Sequence, residues 1–254
     1  MIQRMVTSAL FAGFAAGLFA ALLHFAFIQK SILLGEDYES GALTHFASGS
    51  DPAALPYDHK VAADQSDASV TAPDPVAADH AGGAGPTSAA RNALTVLVST
   101  LVYVAYALIL VAGFALADYF GKPVTAREGL LWGIAGFATF QLMPAMGLAP
   151  ELPGTIAADL HLRQIWWWGT VGATASGLAL IGYGKSPVAL VTAIVFLAMP
   201  HIVGAPEAEQ FWGVAPPELA ATFATRVLGA GLAVWAVLGW LAGYIWSSKT
   251  ARPA

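Results

Sequence analysis

Long apolar stretches alternate with short polar ones along most of this chain, and that pattern predicts helices that cross a membrane. Six apolar runs stand out, at residues 5–28, 92–117, 129–146, 165–183, 187–203 and 223–246. Each is long enough for a helix through roughly 30 Å of hydrocarbon, the fifth being the shortest. Only helices and closed barrels cross lipid, because each backbone polar group needs a partner inside the protein. The runs lack the two-residue alternation of barrel strands. They are rich in Ala, Leu, Val and Gly, as membrane helices are. The predicted fold is an all-α, polytopic integral membrane helix bundle of about six transmembrane helices. Gly13 and Gly17 in the first run, and Gly129, Gly133 and Gly136 in the third, sit at spacings that let helices approach closely. The first run begins beside Arg4, as a signal peptide would. It exceeds about 20 residues and no small-x-small cleavage site follows, so it reads as an uncleaved helix.

Composition agrees with that pattern. The chain of 254 residues is 57% hydrophobic and 11% charged, where a soluble domain carries about 25% charged residues. The absence of cysteine excludes a disulfide framework, a thiolate metal site and a cysteine nucleophile. Basic residues are scattered and the net charge is −5, which is no nucleic-acid footprint. The organisation expected is a transmembrane helix at 1–30, an acidic, flexible outer loop at 31–91 and a bundle of helices 2–6 at 92–254. The loop holds Glu36, Asp37, Glu39, Asp51, Asp58, Asp64, Asp67, Asp74 and Asp79 among Ala, Pro, Gly and Ser, a composition that buries too little apolar surface to fold alone.

Charge gives an orientation. Six spans place both termini on one side with Arg4, Lys122, Arg127, Lys185, Lys249 and Arg252 in short loops and tails, and leave fourteen of the sixteen acids on the other. The positive-inside rule then puts both termini in the cytoplasm and the acidic loop outside. All six histidines fall on the outer side: His45, His59 and His80 in the long loop, His161 in a later loop, and His24 and His201 near outer helix ends. Polar residues collect where water is, which is one account of this. The other is a funnel for cations, since imidazole and carboxylate suit divalent ions such as Co²⁺, Ni²⁺ and Zn²⁺ and a field of carboxylates concentrates cations.

An internal echo adds to the second account. Phe140, Met143, Pro144, Ala149, Pro150 and Glu151 recur as Phe196, Met199, Pro200, Ala205, Pro206 and Glu207 at a constant offset of 56. Each copy closes an outward-running helix, so spans 3–4 and 5–6 form a candidate two-helix repeat. Proline removes a backbone donor, and both helices are expected to bend or break there. Two ordinary proline helix ends explain the echo as well. The functional reading is that paired, proline-interrupted helices flank a substrate site, as they do in transporters. Met143, Met146, Met199, His201, Glu151 and Glu207 would then surround an outer vestibule, a thioether and imidazole set suited to a softer ion than Mg²⁺. Glu36, Asp37 and Glu39 form either a solvated edge or an acidic mouth near His24. Gln141 reads as a hydrogen-bonding contact between helices, and Trp166, Trp167 and Trp168 as an interfacial anchor. Gly184-Lys185-Ser186 lacks the earlier glycine and the strand of a phosphate loop, which excludes ATP binding. No G-x-S-x-G or H-E-x-x-H motif is present and no acid–base constellation is recognisable, so no enzyme is expected.

Several strings, in order, carry a family resemblance: Leu33-Leu34-Gly35-Glu36-Asp37-Tyr38-Glu39, Leu131-Trp132-Gly133, Met143-Pro144-Ala145-Met146-Gly147, Pro150-Glu151-Leu152-Pro153-Gly154, Arg163-Gln164-Ile165-Trp166-Trp167, and Pro200-His201-Ile202-Val203-Gly204-Ala205-Pro206. The chain resembles the CbtA family of predicted cobalt transporter membrane subunits over nearly its whole length outside the long loop. The resemblance implies a membrane subunit for cobalt supply to cobalamin, working beside a small single-span CbtB-like partner. Many members carry a dense histidine cluster in the first loop; this chain has only the separated His45, His59 and His80 there. The function expected is a permease subunit for a divalent transition metal, Co²⁺ or Ni²⁺ being the transported ion, with no tightly bound cofactor. Its metal-binding residues would be His24, Met143, Glu151, Met199, His201 and Glu207. The alternatives are a membrane scaffold that transports nothing and a permease for a corrinoid-type organic substrate.

Overall fold

In a computed structural model of the chain, the residues described are 2–44, 88–210 and 213–248. Histidines 45, 59 and 80 and most of the acidic loop lie outside them. Among these residues six helices follow one another. Helix α1 is Ile2–Glu39 and α2 is Ser88–Tyr119. Helix α3 opens as Ala126–Phe137, passes through a π-helical turn at Ala138–Leu142 and closes as Met143–Ala145. Helices α4, α5 and α6 are Leu160–Tyr183, Pro187–Val203 and Pro217–Ser248. A second π-helical turn, His24–Ile28, lies inside α1. The only β pairing among the described residues is a single bridge between Thr155 and Gly213.

Three of these helices, α1, α2 and α6, are long and apolar enough to cross a bilayer, and α5 is a shorter apolar helix. The protein is therefore an all-α, multi-pass membrane protein, but three helices meet that measure where six spans were expected. The physical reasons are local. The π turn divides α3 into short pieces, α4 is diluted along its length by Trp166, Trp167, Trp168 and by glycine, threonine and serine, and α5 has 17 residues. A second difference lies at the first boundary. Helix α1 continues past residue 30 to Glu39, so the start of the outer loop expected at 31 falls within a helix.

Side chains at the helix starts explain several boundaries. Thr125 and Glu128 form a reciprocal capping box at α3. The Asp159 carboxylate accepts from the Leu162 N–H at 3.0 Å at α4, and the Ser186 hydroxyl accepts from the Ala189 N–H at 3.1 Å at α5. The two prolines of the echo behave differently from the expected breaks. Pro144 follows the π turn of α3, whose widened ring, with the Met143 N–H reaching the Ala138 carbonyl, accommodates it. Pro200 sits inside α5, which ends three residues later, where Gly204 takes φ +86°.

Close backbone approach holds the bundle together. A Cβ at Gly13 or Gly17 would strike the backbone of Val104 or Thr100, so the glycines of α1 let it lie directly on the backbone of α2. Gly129 and Gly133 of α3 face Gly239 and Gly243 of α6 in the same way, and a Cβ at Gly133 would run into the Trp235 carbonyl. Trp235 of α6 is buried between Tyr106, 4.8 Å away, and Phe140, stacked at 5.7 Å. Helices α4 and α5 form a hairpin in which Gly177 meets Ala193 and Leu197. Phe11, Phe14, Leu101, Val188 and Ile202 point outward. Such an apolar exterior suits lipid.

Candidate functional site: a vestibule at the loop end of the bundle

The loops after α3 and α5 carry the two copies of the echo, and they fold against each other. A Cβ at Gly147 would meet both Ala205, of the second copy, and Trp166. The Thr155–Gly213 bridge ties the loops further along. Gly154, at φ +76°, turns the first loop back over Val214 and Glu39, while Leu152 is buried beside Gly35 of α1. Together the loops, the end of α1 and the start of α6 enclose a cavity of about 930 Å³. Glu151, Glu207, Arg163, Tyr38 and Thr155 supply its polar wall.

The electrostatics of that wall are uneven. Glu151 Oε2 accepts from Arg163 Nη2 at 3.1 Å, with the arginine side chain 27% exposed and the glutamate 35%. Glu207 is exposed and has no ion-pair partner among the described residues. A second cavity of about 410 Å³ shares Leu148, Ala149, Glu151 and Arg163 with the first and runs to Phe140, Gln141 and Leu228 in the bundle. The Gln141 side chain lies against Gly231, and its Oε1 is buried without a hydrogen-bond partner. Gln141 makes a side-chain hydrogen bond with Tyr103 of α2, as a contact between helices, while its carbonyl oxygen packs on α6.

Of the six metal-binding residues expected, the structure brings Glu151 and Glu207 to one cavity. His24, Met143, Met199 and His201 line neither cavity. His24 opens the π turn of α1 with its ring edge-on to Phe25 at 5.6 Å. Met143 is half-buried in α3, and Met199, 50% exposed, lines a separate groove with Trp166 and Pro206. His201 is in the last turn of α5, edge-on to Trp166, with its Nε2 buried and unpartnered. Met146 points outward. Among the described residues no three or more His, Asp and Glu side chains converge as a metal cage. Of the three tryptophans, Trp168 is exposed. Trp166 instead donates from Nε1 to the Pro200 carbonyl at 3.1 Å and ties α4 to α5. Glu36 is paired with Arg91 at 3.2 Å at the head of α2 rather than standing free near His24.

The sequence reading missed Arg163 and Tyr38 as wall residues. The signal for Arg163 was present: it is the one basic residue between Glu151 and the end of α4.

Long apolar helices gathered in a bundle, with loops at one end that form a cavity carrying two glutamates in its wall, define a multi-pass helical membrane protein. The family model described as "Probable cobalt transporter subunit (CbtA)" matches residues 2–247, and the chain belongs to that family. A transport-related role follows, as a transporter subunit and not an enzyme. No curated protein and no solved structure matches the chain.

Proposed function

We propose that this protein is the membrane permease subunit for a divalent transition-metal cation, Co²⁺ or Ni²⁺, in uptake that supplies cobalamin synthesis. In this reading six helices cross the cytoplasmic membrane, both termini are cytoplasmic and the vestibule faces outward. A small single-span CbtB-like subunit works beside it. The observation that carries the proposal is that Glu151 and Glu207, equivalent positions of the two echo copies, line one cavity. Paired carboxylates concentrate and partly dehydrate a divalent ion. The membrane potential then favours inward movement by about 2.3 kcal/mol per charge per 100 mV. His201, His24, Met143 and Met199 stand away from the vestibule, so the first contacts in this reading are carboxylates, with softer donors reached only after rearrangement.

The scaffold reading draws support from Glu151 already being paired with Arg163. Uptake of labelled Co²⁺ into liposomes containing the purified protein, with and without the small partner, decides between them. Uptake that falls when Glu207→Gln is introduced supports the permease. Absence of uptake under every condition removes it in favour of the scaffold.

A further inference from the structure

The two cavities meet at one ion pair. Glu151 and Arg163 appear in the walls of both, and between them these cavities run from the loop end of the protein to Gln141 within α3. The two partners are held differently. Arg163 sits in the first turn of α4, its N–H donating to the Asp159 carbonyl at 3.0 Å, and Asp159 also caps that helix. One turn further, Trp166 fixes α4 to the Pro200 carbonyl. The arginine is therefore anchored to a rigid hairpin. Glu151 belongs to the loop between α3 and α4, where Pro150 and Pro153 flank it and no helix holds it.

A guanidinium on a carboxylate occupies the place that a mobile cation would take. We propose that Arg163 is a tethered counter-cation that stands between the vestibule and the second, more open cavity, and that a divalent cation passes from one to the other by displacing it from Glu151. This rests on the reading of the vestibule as a cation site. The guanidinium carries one charge and is confined by its helix, whereas the incoming ion carries two, so a divalent ion competes for the carboxylate better than Na⁺ or K⁺. The pair thereby discriminates by charge. Beyond it the second cavity reaches the Gln141 side chain. Arg163 is a positioning and gating residue in this scheme and does not ligate the metal.

The test is calorimetric titration of the purified full-length protein with CoCl₂. Arg163→Gln removes the competitor and should tighten binding about fivefold, the scale of a partly exposed ion pair. Arg163→Lys, which keeps the charge, should tighten it less. In a Glu151→Gln background, adding Arg163→Gln should change affinity little. Unchanged or weaker binding by Arg163→Gln, with thermal unfolding like the wild type, overturns the gate while leaving the vestibule reading intact. If Arg163→Gln fails to fold, Arg163→Lys titrated with and without Glu151→Gln decides the matter: tighter binding in the single variant only supports the gate, and unchanged or weaker binding overturns it. Binding by neither the wild type nor any Arg163 variant overturns both.

Discussion

The guanidinium of Arg4 lies 3.6 Å from the ring centre of Trp246. It also donates from Nε to the Trp246 carbonyl at 3.0 Å and approaches Asp118 Oδ2 at 3.4 Å, and the Trp246 indole N–H donates to the same carboxylate oxygen at 3.1 Å. The start of α1, the end of α2 and the end of α6 are thus clasped by three side chains. The arginine and aspartate side chains are 21% and 24% exposed, so water screens this pair less than an open surface one. Arg4→Ala should lower unfolding free energy by about 1–3 kcal/mol. In a double-mutant cycle with Asp118→Asn, measured by denaturant titration in detergent, the coupling should reach about 1 kcal/mol. Strictly additive effects would show that the clasp contributes nothing.

The α3–α6 crossing should be intolerant of the smallest addition. A methyl at Gly133 meets the Trp235 carbonyl and the Gly239 backbone, neither of which can move alone. Gly133→Ala is expected to destabilise the bundle by about 1–3 kcal/mol. Gly172, on α4, has nothing within 4 Å of an added Cβ, and Gly172→Ala should be neutral or slightly stabilising by helix propensity. Thermal unfolding of the two variants side by side checks this, and equal Tm values would refute the close crossing.

These glycines show what the sequence makes legible. Gly13, Gly17, Gly129 and Gly133 announce themselves by four-residue spacing, and Gly239 and Gly243 have the same spacing in α6. Placing the two glutamates of the echo at one cavity was equally readable, because a constant offset puts equivalent residues at equivalent helix ends. Met199 and His201 lie away from that cavity for a reason of angle. Met199 and His201 are close in sequence to Glu207, but the helix continues through Pro200, which sets their directions by helical rotation and sends Met199 outward. The π turns at His24–Ile28 and Ala138–Leu142 have no residue signature, since they answer to packing from other helices. The Glu151–Arg163 pair spans 12 residues across a loop whose turn at Gly154 cannot be read from the sequence alone.

The cap of α3 gives a pH dependence. The Thr125 hydroxyl and backbone N–H both hydrogen-bond the Glu128 carboxylate and hold its pKa below the ordinary glutamate value. A carboxyl with a depressed folded pKa contributes its stability above the unfolded value and loses it as pH falls through the folded one. Thr125→Ala should therefore destabilise α3 by about 1 kcal/mol near neutral pH. The difference from wild type should shrink on acidification below the ordinary glutamate pKa. Paired unfolding curves at neutral and acid pH measure it, and a difference independent of pH would assign the cost to something other than the Glu128 contact.

Arg226 supplies the last test, because beyond Glu218 in the first turn it is the one charge in α6, and a charge in a helix that crosses lipid requires a partner. Its Nη1 donates to the Phe27 carbonyl at 3.3 Å and to the Ser31 hydroxyl oxygen at 3.2 Å. Phe27 lies in the π turn of α1, where the hydrogen-bond ladder is displaced, so the arginine supports the wider turn from α6. Arg226→Met keeps most of the apolar stem and removes both donations. It should cost about 1–2 kcal/mol and speed amide exchange through residues 24–31, with Arg226→Lys recovering part of the loss. If the π turn instead exchanges at the wild-type rate in Arg226→Met, packing of the rings alone sustains it and the arginine has no structural claim on α1.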